Sequence, residues 1–230
     1  MSYTHLFFDL DHTLWDFEQN SRITLVELFE EKQLDRLGVP DFDAFYSAYK
    51  EENDLLWARY RKGEIKKDEL RSSRFHNTLK RFGDGDERCA AELEKAYIER
   101  SPYQTQLLPG AMETVRVLST RYSLHIITNG FSETQNIKME RSGLAPYFDG
   151  VFSSEAVGVQ KPDARVFLHA LKETGAKRKE SLMIGDSLEA DVLGARRVGM
   201  EAVYFNPESK PHGASLKFEI RDLRDLLQWL

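Results

Sequence analysis

From Leu107 onward, short apolar runs alternate with amphipathic stretches of helical period, and this alternation restricts the fold more than any other feature of the chain. The predicted order is helix 111–119, strand 124–127, helix 133–141, strand 151–153, helix 164–174, strand 182–184, helix 190–198, strand 202–205 and a terminal helix 222–229. Such alternation implies a parallel sheet covered by helices on both faces. Residues 16–103 have another texture. No strand pattern is convincing there, and apolar residues such as Ile23, Val26 and Phe29, then Phe42, Phe45 and Tyr49, recur at helical spacing and predict a bundle of four or five helices. A further apolar run, Leu6-Phe7-Phe8, precedes this block and must join the later sheet. The expectation is therefore an α/β protein: a Rossmann-like parallel sheet formed by 1–15 and 105–230, with an all-helical domain, 16–104, inserted after the first strand.

Each of three predicted strands runs out into polar chemistry. Leu6-Phe7-Phe8 ends in Asp9-Leu10-Asp11-His12-Thr13, strand 124–127 in Thr128-Asn129-Gly130, and strand 182–184 in Gly185-Asp186-Ser187, with Asp191 five residues beyond Asp186. Carboxyl ends of strands are where open α/β sheets place their ligands. In strand geometry Asp9 and Asp11 point the same way, and crowded carboxylates call for a divalent metal or a shared proton. Lys161-Pro162 follows a Gly-containing loop and precedes helix 164–174. Each piece also has a bland reading: solvated acids at a strand end, a Thr-Asn-Gly turn, Lys-Pro as helix punctuation, Ser187 as a helix cap. Their joint occurrence at strand ends is what the bland readings leave unexplained.

Asp9-x-Asp11-x-Thr13, Thr128, Lys161 and Gly185-Asp186-x4-Asp191 together resemble the four motifs of the haloacid dehalogenase (HAD) superfamily of phosphatases, across nearly the whole chain. The resemblance implies a role for each residue. Asp9 is the nucleophile that forms an aspartyl-phosphate, and Asp11 is the general acid and then the general base. Thr128 and Asn129 bind phosphate, while Lys161 holds Asp9 and neutralises the phosphoryl charge. Asp9, the backbone carbonyl of Asp11, Asp186 and, further out, Asp191 surround Mg²⁺. The second acid points to phosphoryl transfer rather than dehalogenation, since a halide leaves without a proton. The family calls the inserted helical domain a cap, which closes over the strand ends and selects the substrate; its hinges fall near 15–17 and 101–109.

Finer segments resemble the house-cleaning pyrimidine 5′-nucleotidases: 11–17, the Leu56-Trp57-x-x-Tyr60-x-x-Gly63-x-Ile65 stretch, Ile127-Thr128-Asn129-Gly130-Phe131, Glu140-Arg141-x-Gly143-Leu144 and 154–162. This resemblance implies a nucleotidase on pyrimidine nucleoside monophosphates, with Phe131 and Trp57 as candidate substrate contacts. For Trp57, helix packing is the competing reading. Sugar-phosphate or phosphoglycolate phosphatases and phosphomutases share the four motifs, and a phosphate-sensing regulatory module is the non-enzymatic alternative.

Composition narrows the partners. Hydrophobic content of 41% and charged content of 30% fit a cytoplasmic enzyme, and a formal net charge of −6 argues against a nucleic-acid polymer as partner. The resemblance implies a small phosphorylated metabolite, with no membrane partner expected. The single cysteine, Cys89, excludes an internal disulfide or a Cys-based zinc site and reads as a small core residue. No signal peptide and no membrane-length apolar run is visible. Oligomeric state is left open.

Overall fold

The computed structural model describes residues 3–83 and 86–230. In chain order its main elements are β1 (His5–Phe8), α1 (Phe17–Glu31), α2 (Phe42–Arg61), α3 (Lys67–Lys80), α4 (Glu87–Arg100), α5 (Ala111–Leu118), β2 (Ser123–Thr128), α6 (Ser132–Arg141), β3 (Gly150–Ser153), α7 (Ala164–Thr174), β4 (Ser181–Gly185), α8 (Gly194–Arg197), β5 (Glu201–Phe205) and β6 (Glu219–Ile220). The chain divides into two compact units, one made of the residues up to Phe17 with Thr105–Leu230, the other of Glu18–Gln104.

In the first unit the described residues form a six-stranded sheet of order β3-β2-β1-β4-β5-β6, parallel throughout. β1 lies at the centre, with Phe8 in register with Ile126 of β2 and Ile184 of β4. The chain builds outward from β1 through β2 and β3, then crosses to the other side for β4. β1 and its neighbours therefore form the switch point where such sheets open a crevice at their carboxyl ends.

The strands carry apolar residues on both faces because both faces are covered. Leu6, Phe8, Ile126, Leu182, Ile184 and Val203 pack on one face against Val115 and Leu118 of α5, Met139 of α6 and Leu223 and Leu226 near the C-terminus. Phe7, Ile127, Met183 and Ala202 point the other way, against Val166, Phe167 and Ala170 of α7 and Ala195 of α8. This is the period-two alternation of a strand buried on both sides. Truncating a fully buried member such as Phe7 to Ala costs about 3–5 kcal/mol by lost transfer energy and cavity formation.

The structure departs from the sequence expectation in three places. Helix 190–198 starts earlier, as a wide π-type turn over Leu188–Leu193 that runs into α8. The terminal helix is a 3₁₀ segment, Leu223–Gln228, held at its start by a reciprocal capping box between Asp222 and Asp225. β6 was not anticipated: two residues are too short for any period to register.

The second unit is helical. Its core gathers Leu25 and Leu28 of α1, Phe45 and Tyr49 of α2, Phe75 of α3, and Leu93 and Tyr97 of α4; Cys89 joins it as a buried thiol. Asp41 and Asp86 cap α2 and α4 by accepting from Ala44 N and Cys89 N. Buried in this bundle, Arg74 donates to Glu94 from Nε (3.2 Å) and Nη2 (2.7 Å) and to Asn53 Oδ1 (3.3 Å). Its guanidinium also lies 4.7 Å from the Tyr97 ring centroid, so the buried charge is compensated on several sides. Among the described residues no helix is long and apolar enough to cross a membrane.

Candidate active site

Four predicted residues are brought together in the sheet unit around one buried ammonium. Asp9 directly follows β1, and its N–H continues the ladder by donating to Ile184 O at 2.9 Å. Lys161 Nζ donates to Asp9 Oδ1 (2.7 Å), Asp191 Oδ1 (2.6 Å) and Ile127 O (2.7 Å). Those three bonds use every proton the ammonium has. The side chain is only 2% exposed, and two facing carboxylates outweigh burial and keep it charged. Asn129 fixes the lysine's main chain: Oδ1 accepts from Lys161 N (2.7 Å) while Nδ2 donates to Lys161 O (3.1 Å). The Asn129 side chain is thus engaged in clasping Lys161.

Asp186 and Asp191 complete the cluster from the far end of β4. Carboxylate oxygens of Asp9, Asp186 and Asp191 lie within 4.8 Å of one another. Thr13 ties the two ends together, donating from Oγ1 to Asp186 Oδ1 and accepting from Asp186 N, both at 3.1 Å. The π-type turn swings the buried Asp191 carboxylate back toward the strand end, where Oδ2 accepts from Ser187 N at 3.0 Å. A Cβ on Gly185 would sit 2.3 Å from Asp191 Oδ2, so the absent side chain at this position makes room for the acid. Burial, more than the neighbouring acids, pushes the Asp9 carboxyl well above its ordinary range, with Lys161 pulling the other way. Burial and then Asp191 raise the Asp186 carboxyl to about 6. Three carboxylates thus share one lysine, and the donor set is entirely oxygen. A hard divalent cation with few protein ligands fits that excess of negative charge.

Asp11 lies elsewhere than expected. β1 has ended, and the chain turns tightly through Leu10–Trp15, with Leu14 N and Trp15 N both bonded to Leu10 O and His12 at φ 63°. Strand alternation no longer applies, so Asp11 does not share the carboxylate cluster. Its Oδ1 accepts from Lys138 Nζ (2.6 Å) and its Oδ2 from Gln135 Nε2 (2.9 Å). Burial disfavours the charge, but Lys138 and Gln135 outweigh it and hold the carboxyl below its usual value.

Gln135 and Lys138 escaped the sequence reading. Their one signal was i, i+3 spacing on a predicted helix, which places them on one face but looks like any polar stripe. Gln135 also donates to Thr128 Oγ1 (2.8 Å), which accepts a second bond from Gly130 N (3.0 Å). With both lone pairs of the hydroxyl engaged, its own proton is left to donate outward. Phe131, at the start of α6, is 6% exposed and packs as a buried ring. Trp57 lies on α2 of the helical unit, half-buried, 5.6 Å from the Tyr60 ring and edge-on to it. It is not among the buried core residues of that unit.

The haloacid dehalogenase-like hydrolase family matches residues 3–199. The chain is 35% identical to pyrimidine 5′-nucleotidase PynA of Streptococcus pneumoniae over 100% of this chain and 96% of that protein. It is 31% identical to pyrimidine 5′-nucleotidase YjjG of Escherichia coli over 100% and 99%. The crystal structure of the HAD-hydrolase YfnB from Bacillus subtilis, bound to magnesium and described as revealing interdomain movement, superposes with a TM-score of 0.89 at 32% identity, covering 99% of this chain and 98% of that one. The fold, the motif residues at its switch point and these full-length matches agree: the chain belongs to the haloacid dehalogenase-like hydrolases.

Proposed function

We propose that this protein is a Mg²⁺-dependent phosphatase that hydrolyses small phosphate monoesters through an aspartyl-phosphate, with pyrimidine nucleoside 5′-monophosphates as its substrates. The observation that carries the reading is the arrangement around Asp9: one oxygen bound by Lys161, two further acids within ligand reach, and Thr128 and Asp11 on the neighbouring turns. Lys161 engages Oδ1 of Asp9 and leaves the attack on phosphorus to Oδ2. With all three protons committed to protein oxygens, Lys161 acts on the phosphoryl group through its charge. The outward proton of Thr128 binds a phosphoryl oxygen. Asp11, a carboxylate in the free site where it faces Lys138, takes up a proton when the negative charge of the phosphate ester arrives beside it. It gives that proton to the leaving oxygen, and as a carboxylate again takes one from the water that hydrolyses the aspartyl-phosphate.

Asp9, Asp186 and Asp191 are the carboxylates that would hold Mg²⁺, alongside the Asp11 backbone carbonyl. When bound, the ion supplies positive charge to the phosphoryl oxygens and offsets the crowding of the acids. The helical unit is assigned the role of cap, with Trp57 as a base contact. Full-length likeness to two pyrimidine 5′-nucleotidases supports the nucleotide reading, and the magnesium-bound relative supports the metal. A panel of nucleoside monophosphates, sugar phosphates and phosphoglycolate, assayed with Mg²⁺ and with chelator, tests both parts. Highest kcat/KM on pyrimidine monophosphates with activity lost to chelator is the expected result. A preference for a sugar phosphate overturns the substrate assignment, and chelator-resistant turnover overturns the metal.

A further inference from the structure

The link from Asp11 through Gln135 to Thr128 joins the group that handles the leaving oxygen to the group that handles the phosphoryl oxygens. Gln135 is fully buried, and its one amide nitrogen reaches Asp11 Oδ2 at 2.9 Å and Thr128 Oγ1 at 2.8 Å. Lys138, one helical turn later and 6% exposed, takes the other Asp11 oxygen at 2.6 Å, with its ammonium 4.2 Å from the Trp15 ring centroid. Asp11 sits in a turn beyond β1, where no strand ladder holds it, so its side-chain direction is set by α6. The slot for Gln135 exists only because residue 130 is glycine: a Cβ there would lie 1.7 Å from Gln135 Nε2.

We propose that Gln135 and Lys138 are positioning residues that aim the Asp11 carboxyl at the leaving-group oxygen. The inference rests on the phosphatase reading above. In the step concerned, the bond from Asp9 oxygen to phosphorus forms, the ester P–O bond breaks, and the proton that Asp11 takes up when the charged ester binds moves to the departing oxygen. Demand for that proton depends on the leaving group. An alkoxide such as the ribose 5′-oxygen needs it, and 2,4-dinitrophenolate does not.

The test compares kcat/KM on a pyrimidine nucleoside 5′-monophosphate and on 2,4-dinitrophenyl phosphate, with Mg²⁺. This constant covers steps up to formation of the aspartyl-phosphate and so excludes its hydrolysis. Lys138→Met, which touches Asp11 and not Thr128, should lose about 10–100-fold on the nucleotide, a fraction of the range for general acid catalysis, and less than about 3-fold on the dinitrophenyl ester. Gln135→Leu also releases Thr128 Oγ1 and should lose on both esters, more on the nucleotide. Lys138→Gln keeps a donor near Asp11 and should recover part of the nucleotide activity, which keeps the test open where Lys138→Met folds poorly. Equal losses on both esters for Lys138→Met would mean that it serves phosphoryl binding or folding, and would overturn the inference while leaving the phosphatase reading intact. Unchanged kcat/KM on the nucleotide would also overturn it. Wild-type protein inactive on both esters would defeat the phosphatase reading and this inference with it.

Discussion

Replacing Lys161 with Met isolates the electrostatics of the site. The ammonium is buried and bonded to two carboxylates at 2.7 and 2.6 Å. Methionine keeps the volume and removes the charge, leaving Asp9 and Asp191 buried and unpaired. Breaking a buried pair from one side costs about 3–5 kcal/mol. At roughly 2–4 °C per kcal/mol for a chain of this size, metal-free Lys161→Met should melt about 6–20 °C below wild type at pH 7.5. The pH dependence has a definite sign. The folded Asp9 carboxyl already lies above its usual value, and losing Lys161 pushes it higher, so the folded variant binds a proton at a pH where the unfolded chain has released it. The deficit relative to wild type should therefore shrink as pH falls from 7.5 toward 5. Mg²⁺ should stabilise the variant more than the wild type, because it meets one more uncompensated charge. Asp191→Asn added to Lys161→Met should restore part of the loss by removing an orphaned carboxylate. The assay is thermal denaturation in chelator and in Mg²⁺, at pH 7.5 and pH 5. A metal-free melting temperature equal to wild type, or a deficit that grows on acidification, would refute the reasoning.

Four other outcomes are expected. Asp9→Asn should lower turnover by about 10⁴-fold or more while metal-free stability holds or rises, since a crowded buried charge is removed; retained turnover without deamidation would defeat the nucleophile assignment. Asp186→Ala should weaken Mg²⁺ affinity and activity together, measured by Mg²⁺ titration of turnover, and an unchanged Mg²⁺ dependence would remove Asp186 from the ligand set. His125, 3% exposed and 3.0 Å from His5, has its pKa lowered to about 4 by burial and by His5, so the folded chain refuses a proton that the unfolded chain takes below about 6.5. Between pH 6.5 and 4 wild type should lose about 1–3 kcal/mol that His125→Phe retains, and parallel denaturation curves for the two would contradict this. If the half-buried Trp57 stacks on a base, Trp57→Ala should cost about 1–3 kcal/mol in kcat/KM for nucleotides and little for small aryl phosphates, whereas equal losses with a lower melting temperature would make it a packing residue.

The sequence alone carried the sheet and the positions of its chemistry. Short, near-continuous apolar runs at Leu6–Phe8, 124–127 and 182–184 are a local signal, and a polar break after each is local too, so Asp9, Thr128 and Asp186 are placed at strand ends by the sequence itself. What charges do once there is not local. Asp11 looked like a partner of Asp9 because strand geometry was extended two residues too far; the turn through Leu10–Trp15 sends it to Lys138, 127 residues away. The local pattern at Lys161 is only punctuation before a helix, and its link to Asp9 came from the family motif; its three bonds reach Asp9, Ile127 and Asp191, which packing alone brings to one point. Gln135 and the role of Gly130 were silent for the same reason, since a glycine in a Thr-Asn-Gly turn already has a sufficient local explanation. Short-range periodicity fixes which face a residue occupies. Only the close packing of α6, the π-type turn and the strand ends decides which buried charges meet, because each must find its partner within hydrogen-bond distance or bear the cost of desolvation unpaired.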